Sequence, residues 1–241
     1  MSLPALRSGV ALALCLALAT PAAAQTQAGS GVTASERANS PGREIGFAAQ
    51  APDGAALVLL MDSATLPAGL PLSDADRAGV EAAIKAASYA GKANEMLSLR
   101  GIGKHPRVVL AGTGPSPAPL ARQEAAGKAA QDLAGEASPV ALLGAGDGLA
   151  MADAALGFAL GQYRFDRLKS GIAAPLPGVT VVGSDGAGAR AAWTARHAGL
   201  AEGVRFARDL INEPASVIYP ETFVERSEER RVGKECRYRW S

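Results

Sequence analysis

Histidine and cysteine are scarce in this 241-residue chain: His105, His197, Cys15 and Cys236 are the only ones. Imidazole or thiolate chemistry therefore has few residues to draw on. His105 stands between Lys104 and Pro106 with no other histidine or cysteine at ligand spacing, and it reads as a surface histidine. His197 falls on the apolar stripe of an expected helix, where a packed, hydrogen-bonded histidine is the commoner arrangement. Two glycine-rich turns, Gly112-Thr113-Gly114 and Gly144-Ala145-Gly146-Asp147-Gly148, offer a different chemistry. Free amides at a helix start can cradle a phosphate. Neither turn is a full Gly-x-Gly-x-x-Gly, and tight strand-to-helix turns require glycine anyway. The segment Tyr163-Arg-Phe-Asp-Arg-Leu-Lys169 is dense in cations and rings, which suits cation–π stacking and the capping of a helix end. No residue is assigned a catalytic, cofactor-binding or metal-binding role.

The elements that would position these residues alternate along the chain. Ala56 to Met61, Arg107 to Ala111, Val140 to Leu143 and Val179 to Val182 are short apolar runs bounded by Gly or Pro, the mark of buried strands. Helical spacing begins after Ser73, where Asp76 makes a capping-box-like start and Val80, Ile84 and Ala87 share a face. Further helices are expected over Leu120 to Leu133 and over Leu149 to Tyr163, the latter striped by Leu149, Leu156, Leu160 and Tyr163. Strands alternating with such helices imply an α/β fold with a mostly parallel sheet covered on both faces. A long connecting helix follows from about Gly188 to Ile211, with Trp193, His197, Leu200, Val204, Ala207 and Ile211 in one stripe. Pro214 and Pro220 should end it and force an extended exit.

The two ends read differently. Residues 1–24 carry Arg7, an apolar run from Val10 to Ala19 and Ala22-Ala23-Ala24, the layout of a secretory signal peptide. Ten apolar residues are half of the roughly 20 needed for a membrane span, so no permanent span is expected and export to the periplasm or medium is. Residues 25–43 are poor in large apolar side chains and are expected to form a flexible leader. Residues 226–241 switch abruptly to charge and resemble translated read-through of a sequencing-library adapter, with Tyr238 as a departure; a genuine basic, solvated tail is the alternative. Without both ends 17 basic and 20 acidic side chains remain, which gives no support for a nucleic-acid surface. Both cysteines also fall in the removed ends, which suits an oxidising compartment.

Two segments carry a resemblance to the leucyl aminopeptidases of the M17 family. Gly161 to Lys169 is similar to that family's Gly-x-Tyr-x-Phe-x-x-Tyr/Leu-Lys, and Arg208, Asp209, Leu210, Asn212, Pro214 and Pro220 follow its Arg-Asp-Leu-x-Asn-x-Pro stretch and second proline, with Ser216 where Asn is usual. The resemblance implies a macrodomain-like three-layer amino-terminal domain over 44–183, and a linker helix with the start of a truncated catalytic domain over 184–225. It also implies a parent enzyme, a homo-hexameric metallopeptidase hydrolase, that removes amino-terminal residues from peptides with two divalent ions of the Zn or Mn type. This part of the parent would serve assembly and site access, bind no cofactor itself and be inactive alone. Val232-Gly233-Lys234 imitates a metal-binding segment, but Glu235 and Cys236 follow where glycine is needed, so no ligand is placed on Lys234. Two other readings stay open: a stand-alone macrodomain-like module binding ADP-ribose or phosphate at Gly112 and Gly144, and an oligomerisation or scaffold protein using the Trp193 to Ile211 stripe.

Overall fold

The computed structural model describes residues 39–170 and 174–229. Six strands form one sheet in the order β1-β6-β5-β2-β4-β3: β1 (Ile45–Ala48), β2 (Ala56–Met61), β3 (Met96–Ile102), β4 (His105–Gly112), β5 (Val140–Leu143) and β6 (Val179–Val182). All neighbours are parallel except the β3–β4 hairpin at one edge. The fold is thus the mostly parallel α/β architecture expected. The two strands that had not been expected, β1 and β3, are the two edges. An edge strand is half-solvated, and in β3 exposed Ser98 and Arg100 interrupt the apolar run that marks a central strand.

Both faces of the central strands are buried. Along β2, Ala56, Val58 and Leu60 face one apolar cluster, and Leu57, Leu59 and Met61 face the other, because side chains alternate across a sheet. The first cluster is covered by α2 (Pro119–Asp132) and α3 (Gly148–Gly161), the second by α1 (Asp74–Ala86). Helix α1 starts as expected, with Ser73 Oγ accepting from the Asp76 amide and Val80 and Ile84 buried.

Helix α3 corrects the expected stripe. Eleven of its fourteen residues are buried, whereas Leu149 is 55% exposed. The helix lies between the sheet, α2 and the helices that follow, so it is apolar nearly all round and no single face can be read from its leucines. Its contact with α2 depends on glycine: a Cβ on Gly157 would strike the Gln123 backbone, and one on Gly161 would strike Gly127.

The connecting helix is also not what the spacing implies. It is built from α4 (Gly186–Ala192), a π-turn over Trp193–His197 and α5 (Ala198–Asn212). The extra residue of the π-turn rotates everything after it by about 100°. Ala201 therefore turns inward, while Leu200, Ala207 and Ile211 turn outward, Ile211 to 81% exposure. Pro214 does end the helix, after Glu213 goes extended. Pro220, expected to prolong the extended exit, instead opens α6 (Pro220–Glu229), because a first-turn proline loses no helical hydrogen bond. No helix among the described residues is long and apolar enough to cross a membrane. The expected signal peptide lies outside the described residues.

Two substitutions separate close helix packing from helix propensity. Gly157→Ala should lower stability by about 1–3 kcal/mol, since backbone must move to admit a methyl group. Gly203→Ala in α5, where a Cβ meets nothing within 4 Å, should be neutral or raise stability by up to about 1 kcal/mol. Urea denaturation of both variants gives the comparison.

Candidate functional site

Both glycine turns are filled by the chain itself. A Cβ on Gly112 would strike Lys92 O, and one on Gly144 would lie 2.5 Å from Leu60 O. At the start of α3, Asp147 accepts from the Ala150 amide (2.9 Å), and the Asp185 carboxylate abuts Gly148 while capping α4 through the Gly188 amide (3.0 Å). Two carboxylates thus stand at the second turn where a phosphate would sit, the first turn is closed by backbone, and the ADP-ribose reading is not favoured.

His105 is not on the surface. It is 2% exposed, with Nδ1 2.7 Å from Ala55 O and Nε2 2.9 Å from Pro71 O. The residue opens β4 beside β2, and its ring ties the lead into β2 to the loop before α1. His197 is buried as expected, with Nε2 2.9 Å from Asp153 Oδ1 and Nδ1 3.2 Å from Ala192 O. Among the described residues no group of three or more His, Cys, Asp or Glu could hold a metal ion. Lys234 lies outside them.

The two motif segments do come together. Tyr163 Oη donates to Asp209 Oδ1 (2.8 Å), and Asn212 Nδ2 donates to Tyr163 Oη (3.3 Å). The Arg208 guanidinium lies 5.5 Å from the Tyr163 ring centroid and donates to Leu160 O (2.7 Å), the carbonyl that α3 leaves free near its end. Arg167 and Glu213 form an ion pair whose side chains are 8% and 0% exposed. Burial, and the hydrogen bond given to Asp209, push the Tyr163 phenol above its ordinary pKa.

A third segment of chain, unmarked by any motif, completes this clasp. Asn39 Nδ2 donates to Asp209 Oδ1 (2.5 Å), while its Oδ1 accepts from the amides of Asp166 (3.0 Å) and Arg167 (3.1 Å). Ser40 N donates to Asp166 Oδ1 (2.7 Å). Arg43, 4% exposed, donates to Glu136 O, Ser138 O and Pro177 O, bracing the leads into β5 and β6. Asn39 to Arg43 fall within the stretch expected to be a flexible leader, yet here they are fixed by side-chain hydrogen bonds, which an argument from apolar burial overlooks. Beside the clasp a cleft of about 430 Å³ opens between Gly42–Ile45 and the connecting helix, lined there by Trp193 of the π-turn and by Ala201 and Arg205 of α5. It carries no hydroxyl, thiol or imidazole group.

The geometry defines a class: a mostly parallel α/β domain whose trailing helix is locked to it by a buried polar clasp. The family model described as "Cytosol aminopeptidase family, N-terminal domain" matches residues 57–171. A probable cytosol aminopeptidase of Gluconobacter oxydans is 36% identical over 193 residues, 77% of this chain and 39% of that protein. One from Rhizobium etli is 33% identical over 201 residues, 77% of this chain and 40% of that protein. Among solved structures, a tomato leucine aminopeptidase mutant superposes with a TM-score of 0.66 at 20% identity, covering 81% of this chain and 43% of that one. The bottromycin maturation enzyme BotP, solved with Mn, gives 0.56 at 20% identity, with 74% and 36% covered. The chain belongs to the cytosol aminopeptidase family, M17, through its amino-terminal domain. It spans about 40% of the length of the curated relatives it matches.

The relatives also overturn the expected export: they are named cytosol aminopeptidases, which points to the cytoplasm.

The clasp should be sensitive to acid. Burial opposes ionisation of Asp166, but the Ser40 hydrogen bonds and the charges of Arg164 and Lys169 outweigh it and hold its pKa below the ordinary value. A carboxylate so depressed contributes stability that is present above about pH 4 and lost as pH falls through the lower folded pKa. Asp166→Asn should flatten this acid limb in melting curves recorded between pH 2 and 6. Asn39→Ala, which removes three hydrogen bonds, should cost about 2–3 kcal/mol at neutral pH.

Proposed function

We propose that this chain is the amino-terminal, non-catalytic part of a cytoplasmic aminopeptidase that removes amino-terminal residues from peptides with the help of divalent metal ions. The observation carrying this reading is the clasp. The two segments that match the family pattern meet each other there and engage no reacting group; they fix the direction in which the chain leaves the α/β domain. The lengths of the relatives support a further catalytic portion beyond the residues shared with this chain. A pair of Zn or Mn ions would be held in that portion, where paired metals polarise the scissile carbonyl and supply a hydroxide nucleophile.

In this reading the domain contributes to assembly, as a homo-hexamer of the whole enzyme, and shapes the approach of peptides to the metal site. The outward apolar side chains of α5 and α6, Leu200, Ile211, Phe223 and Val224 among them, then belong against the rest of the enzyme rather than in water.

Purified chain supplied with Mn or Zn should release no measurable aniline from leucine anilide, whereas a complete relative assayed alongside should. Metal-dependent turnover by the chain alone would contradict the assignment.

A further inference from the structure

The connecting helix is written for one register and built in another. Trp193, His197, Leu200, Val204, Ala207 and Ile211 are spaced alternately four and three apart, which in an unbroken α-helix places all six on one face. The π-turn divides them: Trp193 and His197 remain against the domain, while Leu200, Ala207 and Ile211 face outward. Ala201, Arg208, Asp209 and Asn212 come round in their place, and the last three are the clasp residues.

Contacts at both ends of the turn explain why the bulge persists. Trp193 is fixed against Phe47 of β1, with ring centroids 6.3 Å apart, so the segment before the turn cannot follow a rotation of α5. His197, the last residue of the turn, reaches Asp153 Oδ1 at 2.9 Å in the interior of α3, and Gln123 Nε2 of α2 lies 3.4 Å from the same oxygen. A polar contact at this depth is costly to leave unmade. π-turns are themselves less favourable than α-helix and need such support to persist.

We propose that the π-turn at Trp193–His197 is a register switch, held in the bulged state by the contact between His197 and Asp153 together with the clasp at Tyr163, and that the same sequence encodes a second, unbulged register. In the second register α5 turns by about 100°, its apolar stripe becomes continuous, and Arg208, Asp209 and Asn212 leave Tyr163. His197 and Asp153 act as positioning residues: they set which face of the helix is presented beyond the domain. The inference stands on the helix geometry and does not depend on the aminopeptidase reading.

Spin labels on cysteines placed at Lys128 of α2 and Leu200 of α5, with Cys15 and Cys236 replaced by serine, report the register in the full chain. The parent should give one distance by electron–electron resonance. Asp153→Ala and His197→Leu should each add a second distance displaced on the order of 5–8 Å, the chord of that rotation at a side chain's radius. Asp153→Asn, which can still accept from the ring, should keep the single distance. Deletion of Thr194, which removes the surplus residue, should show the displaced distance alone and supplies the test if a buried substitution fails to fold. A single unchanged distance in Asp153→Ala and His197→Leu, even with lowered melting temperatures, overturns the proposal. So does a Thr194 deletion that retains the parent's distance.

Discussion

The ion pair between Arg167 and Glu213 constrains the arrangement of everything around it. Glu213 has no exposed side-chain area and Arg167 only 8%. Taking two charges out of water is expensive, and their attraction repays the cost only while the geometry holds. One charge comes from the loop after α3 and the other from the residue that ends α5, so the loop and the helix end must meet. The hydrogen bonds of Tyr163, Asp209, Asn212 and Asn39 are peripheral to this junction. Each is worth modest energy alone, and together they leave the helix one direction in which to depart.

That direction depends on a local irregularity. Without the surplus residue at Trp193–His197, Arg208 and Asp209 would not reach Tyr163 and Leu160 O. The motif residues at 208–214 reach Tyr163 and Leu160 O only because the turn before them is widened by one residue. The glycines at 157 and 161 make a comparable demand on α3, whose backbone must lie against α2 before Tyr163 can project from its end toward α5. Helix packing in the core and polar contacts at the rim are therefore coupled steps of one construction.

Much of this was legible in the residues. The central strands announce themselves because strands buried on both faces read as unbroken apolar runs, and Ser73 and Asp76 mark the start of α1 by the chemistry of capping. The edge strands were not visible, since half-solvated strands need no such run. The burial of His105 escapes the sequence because its partners, Ala55 O and Pro71 O, are backbone atoms far along the chain, and sequence spacing carries no trace of them. Asn39 was hidden for the same reason: its value lies in hydrogen bonds to residues more than a hundred positions away. The helix stripe failed on one extra residue, a shift that 3.6-residue periodicity cannot detect. The two motif segments were recognisable, but their common role as halves of one clasp required the fold.

The central claim is that the segments at 163–169 and 208–214 exist to hold the trailing helix against the domain. A double-mutant cycle on Arg167→Met and Glu213→Gln, read by urea denaturation, tests it most directly. Each single change should cost about 3–5 kcal/mol by leaving a buried charge uncompensated, and the double change should cost clearly less than their sum, with a coupling of at least about 1 kcal/mol. Strict additivity of the two substitutions would mean that these residues stabilise the domain independently, and that the clasp is not what joins the helix to it.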